Sequence, residues 1–291
     1  MSIYLFIAFL IIIKCFEKNT TSNYKERKLE SEDYSNIRLK IYADCLFQSF
    51  QSNPDLPLLN QSIIKAQKTL EQLIKVRRIE ESIYLPSIGL PGDLGAKFGS
   101  DCIGNLNVGV DADLIIFMRV YTSADGNADF AESEVIKYVD GNPDKRPLVG
   151  TIAFKYNLYD FNDNYDDIKV QIMSTIFLHE FTHILGFNKT VLQKKHLIYE
   201  KPTTMRLNDN TIAKLFVNAT DTLKIARKYF GCDSLTGIEL DNINGVEAKD
   251  RSSIHWSGRL FMGEYMTAKM YYPEQAISEI TLALLEEIDD W

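Results

Sequence analysis

Residues 168–185 leave this chain the least freedom. Ile168, Ile172 and Ile176, with Thr175, Leu178, Phe181 and Leu185, fall at three- and four-residue steps, the period of a helix. Asp166 and Asp167 stand where a helix N-terminus favours negative charge. Gly186 stands where a glycine ends a helix in the left-handed conformation. Inside this stretch runs His179-Glu180-Phe181-Thr182-His183. Apolar neighbours on both sides put two imidazoles and a carboxylate where unpaired polar groups are costly. Something has to pair them.

A metal ion would do so. Helix positions four apart share a face about 6 Å apart, so His179 and His183 can reach one cation. Glu180 lies about 100° round the helix. It can address a water on the metal without ligating, and take the proton whose pKa zinc lowers toward ~7. A catalytic zinc wants three protein ligands and one open position. No third histidine follows closely on His183, and six residues on stands Lys189. Of the four histidines in the chain, His196 and His255 remain. His196 follows Lys194-Lys195, a solvated-looking stretch. His255 lies in Ser253-Ile254-His255-Trp256, with Met266 eleven residues on in Glu264-Tyr265-Met266-Thr267. A methionine in a tight turn can floor the histidine rings; alone, Met266 reads as core packing. A glutamate on a following helix is another option. Glu200 is the candidate there, although Pro202 follows two residues later and no helical stripe surrounds it.

The rest of the chain reads as mixed α and β. Asn36 to Tyr42 alternates as a strand, Gln61 to Val76 carries the stripe of an amphipathic helix, and Leu114 to Tyr121 is a buried strand. Thr151 to Tyr159 is a further strand ahead of an acidic turn at Asp160 to Asp167. Beyond Gly186 the chain reads as irregular until Asp221 to Phe230, a short helix, and a last helix is expected over Ser278 to Ile288.

His-Glu-Phe-Thr-His-Ile-Leu-Gly-Phe, a long insertion, then His255-Trp256 and a methionine turn together resemble leishmanolysin, the M8 family of metzincin peptidases. The stretch Gly231-Cys232-Asp233-Ser234-Leu235-Thr236-Gly237 and the run Arg146-Pro147-Leu148-Val149-Gly150 are similar too, and the likeness covers roughly residues 37–291. It implies an α+β fold, with a twisted sheet, an active-site helix and a smaller irregular C-terminal lobe. It further implies one zinc ion per chain held by His179, His183 and His255, Glu180 as general base, and Met266 as the methionine of the turn. The activity implied is zinc metalloendopeptidase hydrolysis of protein or peptide substrates. The rival is an inactive relative acting as a surface binding or adhesion module, against which the intact Glu180 and histidines weigh. Family members carry more cysteines than the four here, and the surroundings of Cys45 do not match an inhibitory propeptide cysteine.

Composition sets the compartment and excludes one class of partner. With 32 basic against 40 acidic side chains the formal net charge is −8, and no basic run offers the concentrated face that nucleic acid requires. Met1 to Ile13 is apolar apart from Ser2 and Tyr4, a length that suits a signal-peptide core rather than a span of roughly 20 residues. Residues 1–15 are therefore expected to be a signal peptide or anchor, and 16–35 a polar linker. Residues 36–187 then form an N-terminal catalytic lobe, and 188–291 a C-terminal lobe. A secreted or cell-surface location follows, with association with the membrane surface open. Asn19, Asn60, Asn188 and Asn218 are Asn-x-Ser/Thr sequons consistent with export. Beyond Cys15, the cysteines Cys45, Cys102 and Cys232 permit at most one disulfide among themselves.

Overall fold

The computed structural model describes residues 34–49, 55–85, 109–120, 131–142, 145–154, 166–204, 211–241, 254–269 and 275–288. The leader, nearly all of the linker, Asn19, Cys15, Cys102 and positions 160–165 of the acidic turn lie outside them. From Ser35 onward the chain forms a compact unit. Its elements run β1 (Tyr34–Asn36), β2 (Leu39–Tyr42), α1 (Asp44–Ser49), α2 (Leu56–Leu73), β3 (Lys75–Arg77), β4 (Leu114–Val120), β5 (Ala131–Tyr138) and β6 (Pro147–Phe154). There follow α3 (Asp166–Leu185), α4 (Lys189–Lys194), β7 (Ile198–Thr204), β8 (Thr211–Val217), α5 (Thr220–Phe230), β9 (Ile238–Glu239) and α6 (Glu279–Ile288). The architecture is α+β.

The larger sheet has the order β2-β4-β6-β5. β4 pairs in parallel with β2 and with β6, while β5 runs antiparallel to β6. A strand with neighbours on both sides, in a sheet covered on both faces, reads as a continuous apolar run, and Leu-Ile-Ile-Phe-Met is such a run. Its side chains split by the two-residue period. Leu114, Ile116 and Met118 enter the main core, whereas Ile115 and Phe117 join Leu148, Val149 and Leu85 on the opposite face. The main core continues through Phe177 and Phe181 of α3 to Trp256, Met266 and Leu284.

α3 packs against α2, β5 and β6 and is buried along nearly its whole length from Ile172 to Leu185. That explains why its sequence is apolar on both sides of the histidine motif. Gly150 of β6 lets the helix come so close: a Cβ there would stand 2.7 Å from Cδ1 and Cγ2 of Ile184.

Several boundaries differ from the sequence expectation, each for a local reason. α2 starts at Leu56 rather than Gln61, with a proline in its first turn where the missing N–H costs nothing. It ends at Leu73, because Ile74 is extended and Lys75–Arg77 is a strand. The described residues between 186 and 221 are not irregular. They hold α4 and the hairpin β7–β8, which with β9 forms a three-stranded sheet. Pro202 obscured β7, and a proline is tolerated there because β7 is the sheet's edge.

Candidate metal centre

Three imidazoles meet at one point. His179 and His183 project from α3, and His255 comes from the segment beyond β9. Their Nε2 atoms stand 3.0 Å apart for His179 and His183, 3.1 Å for His179 and His255, and 3.2 Å for His183 and His255. The outer nitrogens of the helical pair face backbone carbonyls. Nδ1–H of His179 donates to the Tyr265 carbonyl at 2.6 Å, and Nδ1–H of His183 to the Phe187 carbonyl at 2.7 Å. A carbonyl only accepts, so both protons sit on Nδ1 and both Nε2 atoms present lone pairs. His255 Nδ1 has no partner among the described residues.

Lone pairs aimed at each other across about 3 Å repel unless an electron-poor centre lies between them. One N–H on the third ring could serve only one of them, whereas a cation serves all three. Imidazole nitrogens at this spacing are what a small ion bound at ~2.0–2.1 Å requires. Burial favours the neutral rings that ligation needs. It lowers His179 to about 4 despite the Tyr265 hydrogen bond, and with the charge of His179 it lowers His183 to about 3. His255 falls well below its ordinary value through burial and through the charges of His179 and His183. The residues present fit a zinc ion.

Two chain reversals place these groups. Gly186, at φ +125°, ends α3, and the next residue, Phe187, supplies the carbonyl for His183. Asn188 then caps α4, its Oδ1 accepting from Val191 N, while its Nδ2 donates to the His183 carbonyl. The other reversal is the turn through Glu264, Tyr265 and Met266. Met266 is fully buried, and its carbonyl accepts from Trp256 N at 3.0 Å, beside His255.

Glu180 is buried next to His179. Burial raises its carboxyl to about 7, against a hydrogen bond from Ser133 and with the charge of Glu132 adding to the rise. Ser133, on the edge strand β5, donates its hydroxyl to Glu180 Oε2 at 2.6 Å. Nothing in the sequence singled out Ser133, Tyr265 or Phe187, since each acts through a contact that only folding creates. His196 and Glu200 are exposed, on the turn after α4 and on β7, and neither joins the histidine group.

A family model described as leishmanolysin matches residues 55–289, well over half of the chain. The chain is 25% identical over 224 residues to a leishmanolysin-like peptidase of Caenorhabditis elegans, covering 64% of this chain and 33% of that protein. Over 240 residues it is 24% identical to a leishmanolysin-like peptidase of Caenorhabditis briggsae, covering 70% and 35%. The chain thus spans about a third of the length of these curated relatives.

Proposed function

The chain belongs to the leishmanolysin family, and on that premise we propose that it is a zinc-dependent endopeptidase with Glu180 as general base. His179, His183 and His255 are the protein ligands of the metal. One observation carries the reading: three buried Nε2 atoms lie 3.0–3.2 Å apart, two of them held as lone pairs by carbonyls behind the rings. Zinc in that position would lower the pKa of a water toward ~7 and polarise a peptide carbonyl.

The chain's own groups do the rest. Glu180 accepts the water's proton as the water oxygen bonds to the carbonyl carbon. It then delivers that proton to the departing amine, the C–N bond breaks, and a carboxylic acid and an amine result. Ser133 holds the Glu180 carboxylate by one oxygen. Met266 is the buried methionine of the turn whose Tyr265 carbonyl holds His179. Residues 36–187 supply two of the ligands and residues 188–291 the third.

The deciding experiment pairs two variants. Glu180→Gln should retain one zinc per chain while kcat drops about 10²–10⁴-fold, and His255→Ala should weaken zinc binding on the order of 10²-fold. Wild-type turnover in Glu180→Gln would remove the base from the mechanism and sink the peptidase reading.

Export belongs to the same reading. No helix of the described residues is long and apolar enough to cross a membrane. Met1–Ile13 acts as the leader, and Asn60 or Asn218, both exposed, carries the glycan. The Asn188 amide is engaged on both sides and stays bare. Glycosidase treatment and peptide mapping of protein from a secreting eukaryotic host check this. Purely cytosolic, unmodified protein would refute it.

A further inference from the structure

Glu264 is a buried carboxylate that hydrolysis does not use. Its Oε2 accepts from the backbone N–H of Met266 at 2.5 Å. Its Oε1 accepts from the hydroxyl of Ser278 at 3.0 Å and from that of Thr281. Thr281 in turn accepts from Trp256 Nε1 at 2.7 Å, and Ser278 caps α6 by accepting from Thr281 N. The donors reaching Glu264 are all neutral. Burying a charge among neutral partners is expensive, and a turn that needed only its shape could be closed by a neutral acceptor.

The charge has an addressee one peptide away. The Met266 N–H that donates to Glu264 belongs to the same peptide group as the Tyr265 carbonyl, which accepts from Nδ1–H of His179. A continuous line of hydrogen bonds therefore runs from the carboxylate through the Tyr265–Met266 peptide to the His179 imidazole. Hydrogen bonds in series polarise one another, and an acceptor behind a ligating imidazole orients the ring and raises its basicity. We propose that Glu264 is a positioning residue for the metal site, whose carboxylate acts through the Tyr265–Met266 peptide to orient His179 and strengthen it as a ligand.

The inference rests on the metal-binding reading above and goes beyond it by assigning a charge outside the ligand set. It carries a sign that a purely structural role lacks. Without the cation the Glu264 charge is a burden; with the cation, the two charges attract. Glu264→Gln keeps the shape and removes the charge.

The measurement is zinc affinity by competition with a chromophoric chelator, on the full chain, beside the melting temperature of the zinc-free protein. Glu264→Gln is expected to bind zinc about 10–100-fold more weakly, with the zinc-free melting temperature unchanged or raised. Zinc affinity within about twofold of wild type overturns the proposal, as does a loss that merely follows a fall in zinc-free stability. Wild type that binds no zinc overturns this proposal and the metal reading together, whereas tight wild-type binding with an unaffected Glu264→Gln overturns this one alone. A measurement on wild type keeps the test independent of how the variant folds. The Met266 amide proton and the His179 Nδ1 proton should shift together when zinc is added, and a Met266 amide unmoved by zinc overturns the relay.

Discussion

The candidate metal centre is assembled from two segments built on opposite principles. α3 contributes His179 and His183 four residues apart on one helix, wedged by Phe177, Phe181 and Ile184 into the main core. The return segment from Ile254 to Thr267 contributes His255 with no helix or strand longer than an isolated bridge. It is held by single hydrogen bonds: Trp256 N to Met266 O, Trp256 Nε1 to Thr281, Met266 N to Glu264. On α3 the geometry comes with the helix and the core holds it in place. The return segment shares that core through Trp256, Phe261 and Met266, but without a helix or strand its polar contacts set the course of the backbone around His255. Damage to α3 should therefore appear as lost stability, and damage to the return segment as lost metal.

The largest effect expected is on α3. Phe181→Ala empties a fully buried site and should cost about 3–5 kcal/mol of unfolding free energy, read by chemical denaturation of zinc-free protein. A cost below about 1 kcal/mol would mean that the core does not brace the ligand helix, and the contrast would collapse.

His255→Ala probes the other side. One of four positions in a site whose metal contributes ~10–16 kcal/mol is worth roughly 3 kcal/mol, or on the order of 10²-fold in zinc affinity. Zinc-free stability should hold or rise, since a buried imidazole lacking an Nδ1 partner among the described residues is removed. A collapse of the zinc-free fold in this variant would break the comparison.

Gly150→Ala comes next. Its Cβ would enter the space of Ile184, and overpacking of this kind costs about 1–3 kcal/mol. The expected signature is a lower melting temperature with the zinc stoichiometry intact. The smallest effect sharpens the contrast from the α6 side. Ser278→Ala removes both a helix cap and a donor to Glu264, at about 1 kcal/mol, as measured by thermal unfolding.

Much of this was legible in the residues. The periodicity of 168–185, the acidic start and the glycine stop marked α3 to within two residues, and the spacing of His179 and His183 put both rings on one face. β4 was legible as a continuous apolar run, and the last two helices fall within one residue of their expected bounds. The hairpin β7–β8 was not, because Pro202 interrupts β7 at a sheet edge where an interruption is tolerated.

The line between sequence and structure falls at the third ligand. Residue spacing alone left His196, Glu200 and His255 open, and only the likeness of two distant segments to one family favoured His255. Nothing local decides which of them meets α3, because closing a loop of 72 residues between His183 and His255 depends on the packing of everything between. The carbonyl of Tyr265, the hydroxyl of Ser133 and the carboxylate of Glu264 belong wholly to the tertiary structure. A backbone carbonyl is present at every residue, and a serine or glutamate gains its role only from the atom that folding sets against it. The helix and its histidines follow from a period of 3.6 residues, and Phe187 lies only four residues from His183, while the partners of His179 and Glu180 come from segments far apart in the chain.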